Sequence, residues 1–144
     1  MPFTPTPAEA EYLATQPLGR LATVQRNGTV QVTPVRFVYN APTASIDIGG
    51  YNLVASQKYR NVMDNGRAAI VIDDISSLDP WRIRCLEIRG IAQIVPDTGD
   101  SPINKYIESE GPFIRLRPSR VISLGVEDPE VPPHELVPRK RNTP

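Results

Sequence analysis

Gly19-Arg20-Leu21-Ala22-Thr23-Val24-Gln25-Arg26-Asn27-Gly28-Thr29-Val30-Gln31-Val32-Thr33-Pro34-Val35 is the stretch that decides the fold class of this chain. Asn27-Gly28 is the strongest short-range hairpin signal, because both residues tolerate the positive φ of a tight turn. On its far side residues 29–33 alternate, as a half-buried strand does. The second strand continues past Pro34 through Val35-Arg36-Phe37-Val38-Tyr39. Proline offers no N–H to a ladder, so a bulge or an unpaired position is expected at Pro34. A turn over residues 40–44 leads to a third strand at 45–49.

Upstream, Thr6-Pro7-Ala8-Glu9 reads as a helix start. Thr6 is the N-cap, Pro7 the first helical residue, and Glu9 closes a capping box, with a short helix to about Thr15. Downstream, residues 54–64 follow a helical pattern in which Val54, Tyr59, Val62 and Met63 share a face, and Asn65-Gly66 ends it. Residues 68–72 form an apolar run of strand length, followed by an irregular link over 73–80. The fifth strand is long, 82–95, with Leu86, Ile88, Ala92 and Ile94 on one side and Cys85, Glu87, Arg89 and Ile91 on the other. Gly90 marks a bend or bulge in it. A short helix over 103–110 and strands at 113–117 and 120–126 complete the order α-β-β-β-α-β-β-α-β-β. Hairpin-joined strands with only short helices between them favour a mainly β, antiparallel barrel of the α+β class over a parallel sheet with crossovers.

The 144 residues carry 16 Lys+Arg against 16 Asp+Glu, one Cys and one His. That length is one domain. A net charge of zero and few aromatics argue against a nucleic-acid binder. Cys85 cannot form an intrachain disulfide, and His134 alone cannot build a His-rich site, so no metal is expected. No apolar run reaches membrane-helix length and the N-terminus has no signal-peptide pattern, so a cytoplasmic protein without membrane association is expected. The 16 Pro concentrate toward the ends. The domain is expected over 1–127, with a Pro-rich charged tail over 128–144. That tail has too few aliphatic anchors for a core of its own, so residues 138–144 are expected to be dispensable for cofactor binding and dimerisation.

No dinucleotide, P-loop, nucleophile-elbow or metalloprotease motif is present. His134 lies in the tail, Cys85 reads as an inert mid-strand thiol, Asp73-Asp74 reads as a solvated pair at a strand end, and no catalytic side chain is assigned. The chemistry would then come from a cofactor. Gly49-Gly50-Tyr51-Asn52-Leu53-Val54-Ala55-Ser56-Gln57-Lys58-Tyr59-Arg60-Asn61 joins a strand end to a helix and sets Ser56, Lys58 and Arg60 near the helix start. Free amides, the helix dipole and two cations make a phosphate site there; a capped surface helix with ordinary basic residues has the same pattern.

Leu18-Gly19-Arg20-Leu21-Ala22-Thr23-Val24, Asn27 to Val35, Lys58-Tyr59-Arg60-Asn61-Val62 and Arg67-Ala68-Ala69-Ile70-Val71 resemble the pyridoxamine 5'-phosphate oxidase-like split barrels. Asp79-Pro80-Trp81-Arg82, Glu87-Ile88-Arg89-Gly90 and Pro112-Phe113-Ile114-Arg115-Leu116-Arg117-Pro118-Ser119-Arg120 are similar to the actinobacterial branch that uses the 8-hydroxy-5-deazaflavin coenzyme F420. The resemblance implies a homodimer of six-stranded antiparallel split β-barrels with short flanking helices and cofactor sites between subunits. It implies that Ser56 and Lys58 hold the cofactor phosphate, that Asn61 braces their loop, and that the strand Gln31-Val32-Thr33-Pro34-Val35 lies along the ring, with backbone groups at its polar edge. Trp81 and the strand from Arg115 to Arg120 are further contributors. The implied activity is hydride transfer between F420 and an unsaturated small-molecule substrate such as a tetrapyrrole, quinone or enone. The alternatives are an FMN-dependent oxidase or reductase and a non-catalytic flavin or deazaflavin carrier. The terminal residues with which pyridoxamine phosphate oxidases grip the vitamin have no counterpart here, and Leu124 stands where the branch often has Trp.

Overall fold

The computed structural model describes residues 2–97, 99, 101–106 and 111–143. Helix α1 (Pro7–Thr15) starts as its sequence dictates: the Thr6 hydroxyl accepts from the Glu9 amide, and the Glu9 carboxylate accepts from the Thr6 amide at 2.9 Å. Strands β1 (Gly19–Val24) and β2 (Val30–Asn40) form the expected antiparallel hairpin. Gln25 and Thr29 close its three-residue turn, and Gly28, at φ +92°, takes the left-handed position that such a turn requires. Strand β3 (Ser45–Gly49) follows, then a single 3-10 turn over Leu53–Ala55 and helix α2 (Gln57–Asn65). Strands β4 (Arg67–Leu78), β5 (Trp81–Val95), β6 (Phe113–Leu124) and β7 (Arg139–Asn142) complete the sheet.

This is an α+β fold built on one antiparallel sheet of seven strands in the order β3-β2-β1-β4-β5-β6-β7, and the expected six-stranded split barrel is corrected accordingly. The sheet curls until β3 touches β6, but only from Ile46 to Ile48, so it is not the closed six-stranded barrel expected. Further along that edge β6 is taken by the added strand β7, which pairs Arg139 to Asn142 with Ser123 to Arg120. The tail is therefore not simply extended: unable to build a core, it satisfies its backbone by adding to a sheet edge.

Several local expectations change as well. The link over 73–80 is mostly strand, because Asp73, Asp74 and Ile75 stay in register with Cys85, Arg84 and Ile83. The two last expected strands are one continuous β6. The helix expected at 103–110 is a 3-10 turn over Pro102–Lys105, and its last four positions lie outside the described residues. Pro34 forms no bulge; it pairs in register with Arg20. Its missing N–H is harmless because β3 reaches β2 only from Arg36 onward, leaving that flank of Pro34 open.

Inside the curl, Leu21, Phe37, Ile48, Ile70, Leu86, Ile88 and Leu116 form the core, with Tyr12 and Leu13 of α1 packed against it. Along β5 the alternation holds, with Leu86, Ile88 and Ala92 buried and Arg89 and Ile91 exposed. The bulge expected at Gly90 is there, since the register to β6 shifts between Arg89 and Gly90. A Cβ on Gly90 would lie 2.0 Å from the Arg117 carbonyl, so only glycine allows the two backbones this close. Helix α2 buries Val62 and Asn61 while Met63 and Val54 face solvent, so the expected shared face is rotated. The 3-10 turn before Ser56 breaks the helical phase, and Leu53 takes the inward position instead.

Candidate functional site

Sequence first fixes helix α2. Ser56 is its N-cap: the hydroxyl accepts from the Tyr59 amide at 3.3 Å and donates to the Leu53 carbonyl at 2.5 Å. The amides of Gln57 and Lys58 have no acceptor within the helix, so the N-terminus presents free donors beside the Lys58 cation. Lys58 makes no ion pair among the described residues. Arg60 is instead committed to this turn, donating to the Ala55 carbonyl at 3.1 Å and to the Gln57 side-chain oxygen at 2.9 Å.

Asn61 is almost wholly buried, and it links the helix to the sheet. Its Oδ1 accepts from Gln57 Nε2 at 2.7 Å, and its Nδ2 donates to Thr23 Oγ1 at 3.0 Å. Thr23 lies directly opposite Gln31 in the β1–β2 ladder and donates to Gln31 Oε1 at 3.4 Å. Ser56, Lys58, Asn61 and Gln31, read from the sequence as one site, are thus joined through α2 and Thr23. The sequence carries no signal for Thr23 and Gln57, since only the packing of α2 on β1 reveals them.

The other three expected residues continue along β2. Val35 is buried in the core, Pro34 is exposed, and Thr33 carries the one buried side-chain polar atom without a hydrogen-bond partner among the described residues, its Oγ1. The backbone here has a free flank, because β3 pairs only with residues 36–40. The Gln25–Thr29 closure sets the ladder parity: Gln31, Thr33 and Val35 bond toward β1, while Val32 and Pro34 turn their main-chain groups to the open side. Within the strand that the resemblance sets along the ring, Val32 and Pro34 are thus the residues whose main chain is open, a distinction that side-chain type does not carry. An orphaned hydroxyl, an open main-chain edge, a free lysine and a helix N-terminus suit a planar ring with polar edges carrying a phosphate.

Other residues singled out from the sequence are used elsewhere. Arg115 forms an ion pair with fully buried Asp47 at 3.0 Å, so it holds β6 to β3. Arg120 donates to Asn142 of β7 at 2.7 Å. Trp81 stands half exposed at the β4–β5 tip. Asp74 is no free turn carboxylate: Arg84 holds it in a two-pronged pair at 2.9 and 2.6 Å, and Tyr12 donates to it. The Arg84 hydrogen bonds keep Asp74 below the ordinary carboxylate range against the opposing effect of burial. Burial, then Asp74, pushes the Tyr12 phenol well up. Burial first, with Asp73 and Glu87 adding to it, also raises the Cys85 thiol, which suits an inert residue. No group of three or more metal-ligating side chains occurs among the described residues, and none of their helices is long and apolar enough to cross a membrane.

Residues 5–121 match the family model described as pyridoxamine 5'-phosphate oxidase. The chain is 39% identical over 127 residues, 88% of its length and 86% of the relative's, to a 5a,11a-dehydrotetracycline/5a,11a-dehydrooxytetracycline reductase of Streptomyces rimosus subsp. rimosus. Among solved structures, an F420 reductase superposes with a TM-score of 0.60 at 26% identity, over 82% of this chain and 98% of that one. An FAD binding protein from Mycobacterium smegmatis shares the fold with a TM-score of 0.62 at 16% identity, over 96% and 98% of the two chains.

Proposed function

The chain belongs to the pyridoxamine 5'-phosphate oxidase family, and from that premise we propose that it is a reductase that binds F420 along β2 and acts on an unsaturated small molecule. The observation that carries this reading is the open flank of β2 with the orphaned Thr33 hydroxyl, tied through Gln31, Thr23 and Asn61 to helix α2, whose first turn carries Lys58, without an ion pair among the described residues. When bound, the reduced cofactor supplies a hydride to an electrophilic carbon of the substrate. Lys58 and the α2 amides hold the phosphate, with Ser56 fixing the helix start that aims them. The main chain of Val32 and Pro34 and the side chains of Gln31 and Thr33 meet the ring edge. Val35, packed in the core beneath, keeps that strand rigid. The protein's contribution is orientation and exclusion of water at the reacting face. Neither a histidine nor a carboxylic acid lies among these residues, so solvent is the proton source.

The substrate class follows from the relative named for reducing a dehydrotetracycline: a conjugated polycyclic enone of that kind is the first acceptor to test. The site is completed by a second copy. Val30, Val32, Ile75 and Ile91 are 51–68% exposed on the outer face of β2, β4 and β5, where they alternate with the Arg20–Asp73 and Glu87–Arg89 ion pairs, a mixed apolar and charged face that a second copy can cover. Light scattering should give about twice 15.9 kDa. A monomer at micromolar concentration removes the shared site.

The deciding experiment titrates the protein with F420 and with FMN, following ring fluorescence, and then mixes the reduced complex with an enone. F420 binding with acceptor-dependent reoxidation is expected. Tight FMN binding without F420 binding favours the FMN-dependent alternative, which the family description supports. Binding with no reoxidation by any acceptor identifies a carrier.

A further inference from the structure

The hydrogen bonds linking α2 to β2 have a direction, and that direction is set at one end. A guanidinium has only donors. Arg60 donates to Gln57 Oε1 at 2.9 Å, so the Gln57 amide must turn its Nε2 the other way, toward Asn61 Oδ1 at 2.7 Å. The Asn61 amide is then committed as well, and its Nδ2 faces Thr23 Oγ1 at 3.0 Å. With that lone pair engaged, the one hydroxyl proton of Thr23 goes to Gln31 Oε1 at 3.4 Å. Gln31 is left with its Nε2 pointing away from the chain, and that group has no partner among the described residues. Asn61 and Thr23 are 2% and 1% exposed, so water does not compete for these positions.

We infer that Arg60, through Gln57, Asn61 and Thr23, presets the Gln31 side chain as a hydrogen-bond donor, so that the ring edge seated against β2 meets Gln31 with an acceptor. This rests on the proposed cofactor reading and deepens it. The chemical class it selects is a heterocycle with a carbonyl or deprotonated ring nitrogen at that edge, and it disfavours one offering N–H there. Gln57, Thr23 and Arg60 are positioning residues: their side chains act through Gln31 and touch no ligand themselves. The chain also couples the phosphate end of the site to the ring end, because Gln57 and Lys58 occupy the same first turn of α2.

The test inverts the chain without breaking it. In Gln57→Glu the carboxylate accepts from both Arg60 and Asn61; Asn61 then accepts from Thr23, Thr23 accepts from Gln31, and Gln31 presents its oxygen outward. The expected result is FMN and F420 affinity lowered about tenfold, the scale of one hydrogen bond turned to repulsion, with an unchanged urea midpoint. The ring absorption band of bound FMN should also shift relative to the wild type. Thr23→Val should lower affinity by a smaller factor and Thr23→Ser should restore it. Inorganic phosphate binding should be the same in the wild type and both Thr23 variants; in Gln57→Glu it measures the repulsion by the new carboxylate beside Lys58, and the inversion is read as the loss of cofactor affinity beyond it. Wild-type affinity and an unshifted band in a folded Gln57→Glu overturn the inference while leaving the cofactor reading standing. A wild type that binds neither FMN nor F420 overturns the cofactor reading, and with it the ligand assigned to Gln31.

Discussion

Two buried polar networks sit on the same sheet and end differently. Around Asp47 on β3, Asn40 donates at 2.9 Å, Ser45 at 3.0 Å, Ser101 at 2.5 Å and Arg115 at 3.0 and 3.2 Å. Both carboxylate oxygens are fully used, and the cluster ties β2, β3, β6 and the 3-10 turn at residues 102–105 together. Around Asn61 the groups are uncharged beyond Arg60, and the chain stops at Gln31 with a donor to spare. A saturated network holds the fold in one arrangement, whereas one with an unused valence at its end is equipped to take a ligand. The Asp47 cluster touches β2 only at Asn40, beyond the expected site residues of that strand, while the Asn61 chain runs through α2, β1 and β2 and includes two expected site residues, Asn61 and Gln31.

The largest effect should come from breaking the closed network. Asp47→Ala strands Arg115 and three polar groups, and should cost about 3 to 5 kcal/mol in urea unfolding, the range for removing one partner of a buried ion pair. The same network predicts acid sensitivity. Burial alone would raise the Asp47 pKa, but hydrogen bonds from Arg115, Ser101 and Asn40 outweigh it and hold the group below the ordinary carboxylate value. A depressed folded-state pKa contributes stability above about pH 4, and that contribution is lost as pH falls through the folded value. Asp47→Asn should flatten this dependence, and an equally steep acid limb in that variant would place its origin elsewhere.

A second buried carboxylate tests whether saturation alone means structure. Glu9 is 1% exposed, and Arg141 of β7 meets it in a two-pronged pair at 2.8 and 2.6 Å. Deleting residues 138–144 should therefore cost about 2 to 3 kcal/mol, less than a fully buried pair because Arg141 is partly exposed, while cofactor affinity is retained. Loss of binding at temperatures where the shortened protein is still folded would show that the tail reaches the site.

On the open network the expected losses fall on binding. Lys58→Ala should weaken the phosphate-bearing cofactor by about 1.5 to 3 kcal/mol, with the thermal midpoint unchanged. Ser56 allows the smallest and sharpest separation. Ser56→Ala removes the N-cap and should cost about 1 kcal/mol of stability, whereas Ser56→Gly should cost only a few tenths. If both variants lose cofactor affinity equally, the hydroxyl touches the phosphate; if affinity follows stability, Ser56 serves only the helix.

Sequence determined whatever depends on neighbours in the chain. The Thr6–Glu9 capping box, the Asn27-Gly28 hairpin, the alternation of β5 and the Gly90 bulge are local geometry, written in residue types a few positions apart. The helix start at Ser56 with Lys58 and Asn61 behind it was legible for the same reason, and the family resemblance supplied the residues along β2. Tertiary structure alone decided the contacts between partners far apart in the chain. Arg115 and Asp47 are separated by 68 positions, and Arg141 and Glu9 by 132. Nothing in a Pro-rich, charged tail says that four of its residues will find an unpaired stretch of β6, and this seventh strand is what the expected six-stranded barrel lacked. The polarity of the Asn61 chain is the finest case, because an amide has no preferred orientation until a donor-only group is packed against it, and packing is a property of the folded chain.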